Sequence, residues 1–244
     1  MKYSNLSRVY FNSLTSQDQT LIITKSNDNN IFHYLKNVLR LGIGDNFRIF
    51  NSNNGEFLAE IIIVKKNELT IKVISLLRQE VLDTPLILAL CIIKSEKMLE
   101  AIKAAVQLGV TEIVPIIAER SQYKQVNQQR FQRAIIEAVE QSERLLLPKI
   151  VTPISLNDFC NRKDIEQIIF ANEIENNNNS LSKIKKFANN IAVLVGAEGG
   201  FTDIERTYLL KLDKVNSISL GKYVLRTEIA TIAILANVTM LRQK

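Results

Sequence analysis

From residue 86 onward the chain repeats one pattern, a short and almost wholly apolar run followed by an amphipathic helical segment. The runs are LILALCII (86–93), TEIVPII (111–117), EQIIFA (166–171), NIAVLV (190–195) and VNSISL (215–220). Helical periodicity fills the gaps over about 96–108, which stops at Gly109, over 128–144, from Asp203, and in a last segment through Met240; a short lysine-rich helix is expected after residue 180. A strand that is apolar at successive positions is buried on both faces, which requires a mostly parallel sheet with helices on each side. In such sheets ligands bind beyond the carboxyl ends of the strands, so the residues immediately after each run are the informative ones.

The first third reads differently. A short strand over 8–11 and one helix precede three β-rich runs, DNFRIF (45–50), EFLAEIIIV (56–64) and LTIKVISL (69–76), separated by the turn stretches 51–55 and 65–68. This predicts a meander or small barrel. The helix NIFHYLKNVLRLG places Ile31, Phe32, Leu35, Val38 and Leu39 on one face and is expected to stop at Gly42. The aperiodic, polar LRQEVLDTP (77–85) marks a linker, giving domains 1–78 and 79–244. The first carries ten basic and six acidic side chains, a net of +4, against +2 for the remainder, a bias suited to an accessory domain that touches nucleic acid. The tract ENNNNS (175–180) reads as a polar loop between strand and helix.

Composition removes several chemistries. With one histidine and two cysteines, Cys91 and Cys160, the chain lacks the ligands for a His-rich zinc site or a CxxC pair, so no metal is expected. His33 would have to serve any Ser-His-Asp triad, and its place in a helix between Phe32 and Tyr34 suits packing or capping better. Tyr10, Phe11, Phe32 and Tyr34 suit either a barrel core or base stacking. The opening residues lack the apolar stretch of a leader, and the longest apolar run is far short of a membrane span. A cytoplasmic protein with reduced cysteines is expected.

Three loops carry candidate chemistry. GAEGGF (196–201) comes after a strand and precedes a helix that opens with Thr202 and Glu205 in capping-box spacing. Its glycines permit positive φ and close approach to a ligand. There is neither GxxxxGK[ST] nor GxGxxG, and Glu198 stands where a phosphate would sit, so a neutral or cationic ligand fits better. S-adenosylmethionine meets that description, as does a tight turn with an exposed glutamate and no ligand. SLGKYVLRTEIA (219–230) places Arg226, Thr227 and Glu228 at the mouth of an apolar helix, where they act either chemically or as a cap with Glu228 on the helix dipole. AERSQY (118–123) is followed by a helix on which Glu137, Gln141 and Arg144 fall within about 60° of each other, either lining a crevice or forming a solvated flank.

Taken together, FHYLKNVLRLGIGD (32–45), KSEKMLEAIKAAVQLGVTEIVPIIAERS (94–121), EAVEQSER (137–144), GAEGGFTDIE (196–205) and LGKYVLRTEIA (220–230) resemble the RsmE family of 16S ribosomal RNA uridine N3-methyltransferases. The likeness runs in order over nearly the whole chain. It implies a SPOUT-type, trefoil-knotted α/β domain preceded by a small PUA-like β-barrel, working as a homodimer in the cytoplasm on 16S rRNA of the small ribosomal subunit. The implied cofactor is S-adenosylmethionine, held by Leu194, Val195, Gly196, Glu198, Gly199, Gly200, Leu220, Gly221, Val224, Leu225 and Arg226. Two departures stand out: Ala197 replaces a proline usual in the family, and Ile229 replaces a threonine.

The implied reaction moves a methyl group to uracil N3, which requires alignment and stabilisation of charge that spreads onto the carbonyl oxygens. Arg226 is the candidate for that stabilisation, with Glu228 or Glu198 as a base. Arg120, Gln141 and Arg144 are candidates for the RNA or dimer-interface side of the pocket, and Arg8 and Arg40 are candidate RNA contacts. A SPOUT methyltransferase acting on tRNA, or a non-catalytic RNA-binding assembly factor, would share much of this pattern.

Overall fold

The computed structural model describes residues 3–14, 16–79, 84–174, 181–184 and 186–242. The chain divides into two compact units. One is Met1–Leu82 together with Glu143–Leu147, and the other is Asp83–Ser142 with Pro148–Lys244. Residues 80–83 of the expected linker and the tract 175–180 lie outside the described residues.

The first unit holds β1 (Arg8–Tyr10), β2 (Thr20–Thr24), α1 (Asn29–His33), β3 (Asn46–Asn51), β4 (Gly55–Val64) and β5 (Glu68–Arg78). The sheet order is β1-β3-β4-β5-β2, with β1 parallel to β3 and the other pairings antiparallel. The turn between β3 and β4 forms because the Asn51 side chain accepts hydrogen bonds from the backbone N–H groups of Asn53 and Asn54 at 3.1 and 2.8 Å. Phe11, Phe32, Leu35, Phe47, Ile49, Ile61, Ile71 and Val73 fill the core. Phe11 and Phe32 are thus packing residues, whereas Tyr34 and His33 face outward. Strand β2 was not anticipated from the sequence; only Leu21 and Ile23 of it point inward.

The helix departs from its expected register. After α1 the chain makes a π turn over Tyr34–Val38, with the Leu39 N–H donating to the Tyr34 carbonyl at 2.9 Å. The wider turn rotates the side chains beyond it, so Val38, expected on the buried face, is 56% exposed. The left-handed residue that ends the helix is Arg40 (φ 58°) rather than Gly42, whose N–H instead donates to Asp45 Oδ2 at 2.7 Å.

A charged cluster lies at one side of this unit. Glu56, buried on β4, accepts from Arg8 Nε at 2.5 Å and Arg78 Nε at 2.7 Å. Glu143 grips both terminal nitrogens of Arg48, at 2.7 and 2.8 Å, and Arg8 donates to the carbonyl of Arg144 at 2.8 Å. Buried guanidinium groups are tolerable only when paired in this way. The hydrogen bonds from Arg48, against a smaller opposing effect of burial, hold the Glu143 carboxyl below the usual carboxylate range.

The second unit runs β6 (Leu86–Cys91), α2 (Ser95–Gln107), β7 (Glu112–Ile117), α3 (Gln128–Gln141), β8 (Lys149–Ile150), β9 (Ile154–Ser155), α4 (Leu156–Cys160), β10 (Gln167–Ala171), β11 (Ile191–Val195), α5 (Asp203–Leu210), β12 (Val215–Ile218) and α6 (Thr227–Arg242). The strand order is β12-β10-β11-β6-β7-β8, β9 also pairs with β7, and every pairing is parallel. The expected parallel α/β sheet is therefore present, with the short β8, β9 and α4 added. One core joins Ala89, Cys91, Ile116, Ile168, Phe170 and Leu194 to Phe159, Phe201 and Leu209. α2 packs on α3 and α6, and α6 on β11. Both cysteines are buried, and burial raises both thiols, that of Cys160 to about 11. Where a lysine-rich helix was expected, the described residues form a single 3-10 turn, Leu181–Lys183. No described helix is long and apolar enough to cross a membrane.

Helix α3 stops at Gln141, short of the boundary expected at Arg144. Glu143 adopts φ 60°, so the chain turns off the helix before Arg144.

A carboxyl whose folded pKa is depressed adds stability above its unfolded pKa and loses it as pH falls through the folded value. Glu143→Gln is expected to destabilise the protein at pH 7 by about 1–2 kcal/mol, discounted for partial exposure, and Glu56→Gln by about 3–5 kcal/mol. In urea unfolding, the gap between Glu143→Gln and the unmutated protein should close as pH drops below the ordinary carboxylate range of about 4–5.

Candidate active site

Strands β10, β11 and β12 are neighbours and parallel, so their carboxyl ends deliver three chain segments to one edge of the sheet. Residues 171–173, 195–200 and 219–225 meet there around an open cleft of about 190 Å³, completed by Thr227 and Ala230 of α6.

The glycine segment is built for bare backbone. Gly200 takes φ 61° and donates its N–H to the Ala197 carbonyl at 2.9 Å. A Cβ on Gly200 would come 2.3 Å from Glu173 Oε1, and one on Gly196 would lie 3.1 Å from the Phe201 ring. The next helix, α5, is fixed by the capping box expected from the sequence. Glu205 N–H donates to Thr202 Oγ1 at 3.2 Å, and Thr202 N–H to Glu205 Oε2 at 2.9 Å. The other oxygen of Glu205 accepts from the Glu119 N–H at 2.8 Å, and Arg120 Nη1 donates to the Gly199 carbonyl at 3.0 Å. The segment after β7 thus braces the glycine loop.

In the second loop Gly221 takes φ 124°, Tyr223 and Val224 are strongly exposed, and the Arg226 carbonyl accepts the first helical bond of α6 from Ala230. Arg226 is exposed at this helix start, and its guanidinium makes no ion pair or hydrogen bond among the described residues. The third segment, Ala171–Asn172–Glu173, was missed in the sequence. Its signal was its position directly after an apolar strand. Asn172 ties it to β12, its N–H donating to Ile218 O at 3.0 Å and Nδ2 to Ser217 Oγ at 3.1 Å.

Val195, Gly196, Glu198, Gly199, Gly200, Leu220, Gly221, Val224 and Leu225 all line the cleft. Leu194 does not; it is buried inside β11, on the sheet face that joins the apolar core. Arg226 stands beside the lining rather than in it. Glu228 is buried at the first turn of α6, outside the lining, with Lys97 Nζ 3.6 Å away. A carboxylate so placed reaches the cleft poorly as a base. Arg120 holds the glycine loop, Gln141 is an exposed residue at the end of α3, and Arg40 is exposed on the first unit. Arg8 is a correction: its side chain is 2% exposed and locked to Glu56, leaving no face for a phosphate. Arg144 leaves the helical face it was expected to share with Glu137 and Gln141, and Glu137 instead pairs with Lys103 at 2.6 Å. Among the described residues no group of three or more His, Cys, Asp and Glu is arranged to hold a metal.

Residues 80–239 match the family of RNA methyltransferase domains, and residues 27–74 match the RNA methyltransferase PUA domain. The parallel α/β unit with its glycine-lined cleft and the accessory β unit are together those of an RNA methyltransferase. The chain is 39% identical to the ribosomal RNA small subunit methyltransferase E of Rickettsia conorii, over 99% of this chain and 97% of that protein. It superposes with a TM-score of 0.84 on a Legionella pneumophila methyltransferase solved with bound SAM, at 28% identity over 97% and 98% of the two chains. The match to the ribosomal RNA small subunit methyltransferase E of Neisseria gonorrhoeae bound to S-adenosyl methionine has a TM-score of 0.81, at 26% identity over 97% and 98%. The chain belongs to the ribosomal RNA small subunit methyltransferase E family.

Gly200→Ala is expected to cost about 1–2 kcal/mol in urea unfolding, since an alanine at this positive φ is strained and its Cβ displaces the Glu173 carboxylate.

Proposed function

We propose that this protein transfers a methyl group from S-adenosylmethionine to N3 of a uridine in 16S rRNA of the small ribosomal subunit. The observation that carries the reading is the cleft itself, where bare glycine backbone meets the second loop at the edge of the parallel sheet. Its wall fits this cofactor better than a phosphate. Glu173 and Glu198 put carboxylates on it and Lys222 is its basic member, a balance suited to a cationic ligand. When bound, the cofactor supplies an activated methyl group on a sulfonium. The backbone of Gly196, Gly199, Gly200, Leu220 and Leu225 would hold its adenine and ribose.

Arg226 has the position expected of the group that stabilises the reacting base. It is exposed, free of ion pairs among the described residues, and next to the cleft. A fixed cation there lowers the energy of negative charge that develops on the uracil carbonyl oxygens. Glu198, on the cleft wall, is better placed than Glu228 to accept the N3 proton. RNA would dock through phosphate contacts on both units, Arg40 among them, with the target base extruded toward the cofactor.

The two loops at the cleft are those that would form the trefoil knot of a SPOUT domain. Helix α6 buries Ile234, Leu235 and Val238 yet exposes Ile229, Ile232 and Met240 along its opposite side, a stripe suited to a second copy of the chain in a homodimer. A protein that works on 16S rRNA would act in the cytoplasm.

Methylation of 30S subunits with labelled S-adenosylmethionine, followed by mapping of the modified nucleotide, tests the reading. A single labelled uridine in 16S rRNA is expected; label on another nucleotide, or none at all while added tRNA is labelled, rejects it. Arg226→Ala should abolish methylation while S-adenosylmethionine affinity falls less than tenfold, and turnover like that of the unmutated protein would remove Arg226 from the mechanism. RNA affinity should fall steeply with salt, as phosphate-led docking requires.

A further inference from the structure

The cleft holds a carboxylate that neither the glycine loop nor the arginine loop contains. Glu173 lies just after β10, and its side chain crosses to the glycine segment, where its Oε1 occupies the space a Gly200 side chain would fill. Among the described residues no donor comes within hydrogen-bond distance of this carboxylate. Its one cationic neighbour among them is Arg206 of α5, whose Nη2 lies 3.6 Å from Oε1, beyond hydrogen-bond range.

Arg206 is itself held in place. It is 11% exposed, donates from Nη2 to the Phe201 carbonyl at 2.8 Å, and leaves Nε and Nη1 buried without hydrogen-bond partners among the described residues. A buried arginine that is only partly satisfied is costly, and what it retains here is the place of a half-open carboxylate on the cleft wall. Both acidic lining residues are exposed, but Glu198 stands on a loop tip, whereas the Glu173 side chain, 35% exposed, lies against Gly200 with the Arg206 guanidinium 3.6 Å away, so its carboxylate has a fixed place on the wall.

Such a group reads charge. S-adenosylmethionine and its demethylated product differ by one methyl group and one positive charge, so shape alone separates them weakly. We propose that Glu173, positioned by Arg206, makes the cleft prefer the sulfonium over the neutral thioether, favouring cofactor binding and product release. This deepens the methyltransferase reading and rests on it.

Isothermal titration of the full chain with S-adenosylmethionine, S-adenosylhomocysteine and sinefungin, which carries an ammonium in place of the sulfonium, tests the proposal. Glu173→Gln preserves shape and removes the charge. It is expected to weaken S-adenosylmethionine and sinefungin about tenfold, as loss of a partly screened charge pair would, and S-adenosylhomocysteine less than twofold. The ratio between ligands guards against damage to the fold, because a distorted cleft loses all three alike. Equal weakening of the three, or weakening of none, overturns the proposal. Failure of the unmutated protein to bind any of them overturns the methyltransferase reading and this inference with it.

Discussion

The site depends on one constraint, that every strand of the larger unit runs in the same direction. Parallel strands cannot be joined by tight turns, so each connection must cross the sheet, and each strand's carboxyl end releases its loop at the same edge. The order β12-β10-β11 then decides which loops become neighbours. Residues 173, 200 and 221, distant in sequence, share one cleft because three strands lie side by side in register. Hydrophobic burial on both faces of the sheet holds that register, since slipping a strand would carry apolar side chains such as Phe170 and Leu194 out of the core.

The two units are held by different means around their sites of interest. In the larger one, the cleft rests on backbone geometry and on braces from polar side chains: Arg120 holds a loop carbonyl, Glu205 a loop N–H, and Asn172 reaches the Ser217 hydroxyl of β12. In the smaller one, paired charge does comparable work, as Glu56 and Glu143 pair with three arginines. Arg8, a candidate RNA contact from the sequence, is structural for this reason. A surplus of +4 on residues 1–78 overstates the charge available to a polyanion, because Arg48 is buried against Glu143, a carboxylate from outside that span.

Much of the architecture was legible in the sequence because it was written in periodicity. Apolar runs such as LILALCII and IAVLV could only be interior strands, and the Thr202–Glu205 spacing announced the capping box. The illegible part was set by local geometry that no residue type encodes. Val38 belongs to a helical face by spacing, and a π turn rotates it into solvent. Gly42 is the better residue for a left-handed position, yet Arg40 takes it. Glu143 does the same at the end of α3, and thereby removes Arg144 from the helix face on which it had been counted. Glu173 escaped notice for another reason: with no glycine or motif around it, only the strand order brings it to the cleft.

The helix stop at Glu143 also makes the smaller unit discontinuous along the chain. Its sheet is encoded before residue 83, but one of the two carboxylates in its charged cluster arrives sixty residues later, from within the span of the larger unit. A fragment ending at residue 82 would keep Arg48 buried and lose the group that both its terminal nitrogens grip. The accessory unit is therefore not a portable cassette. It cannot be cut out or grafted onto another protein intact, and in evolution it can be exchanged only along with the segment of its neighbour that completes it.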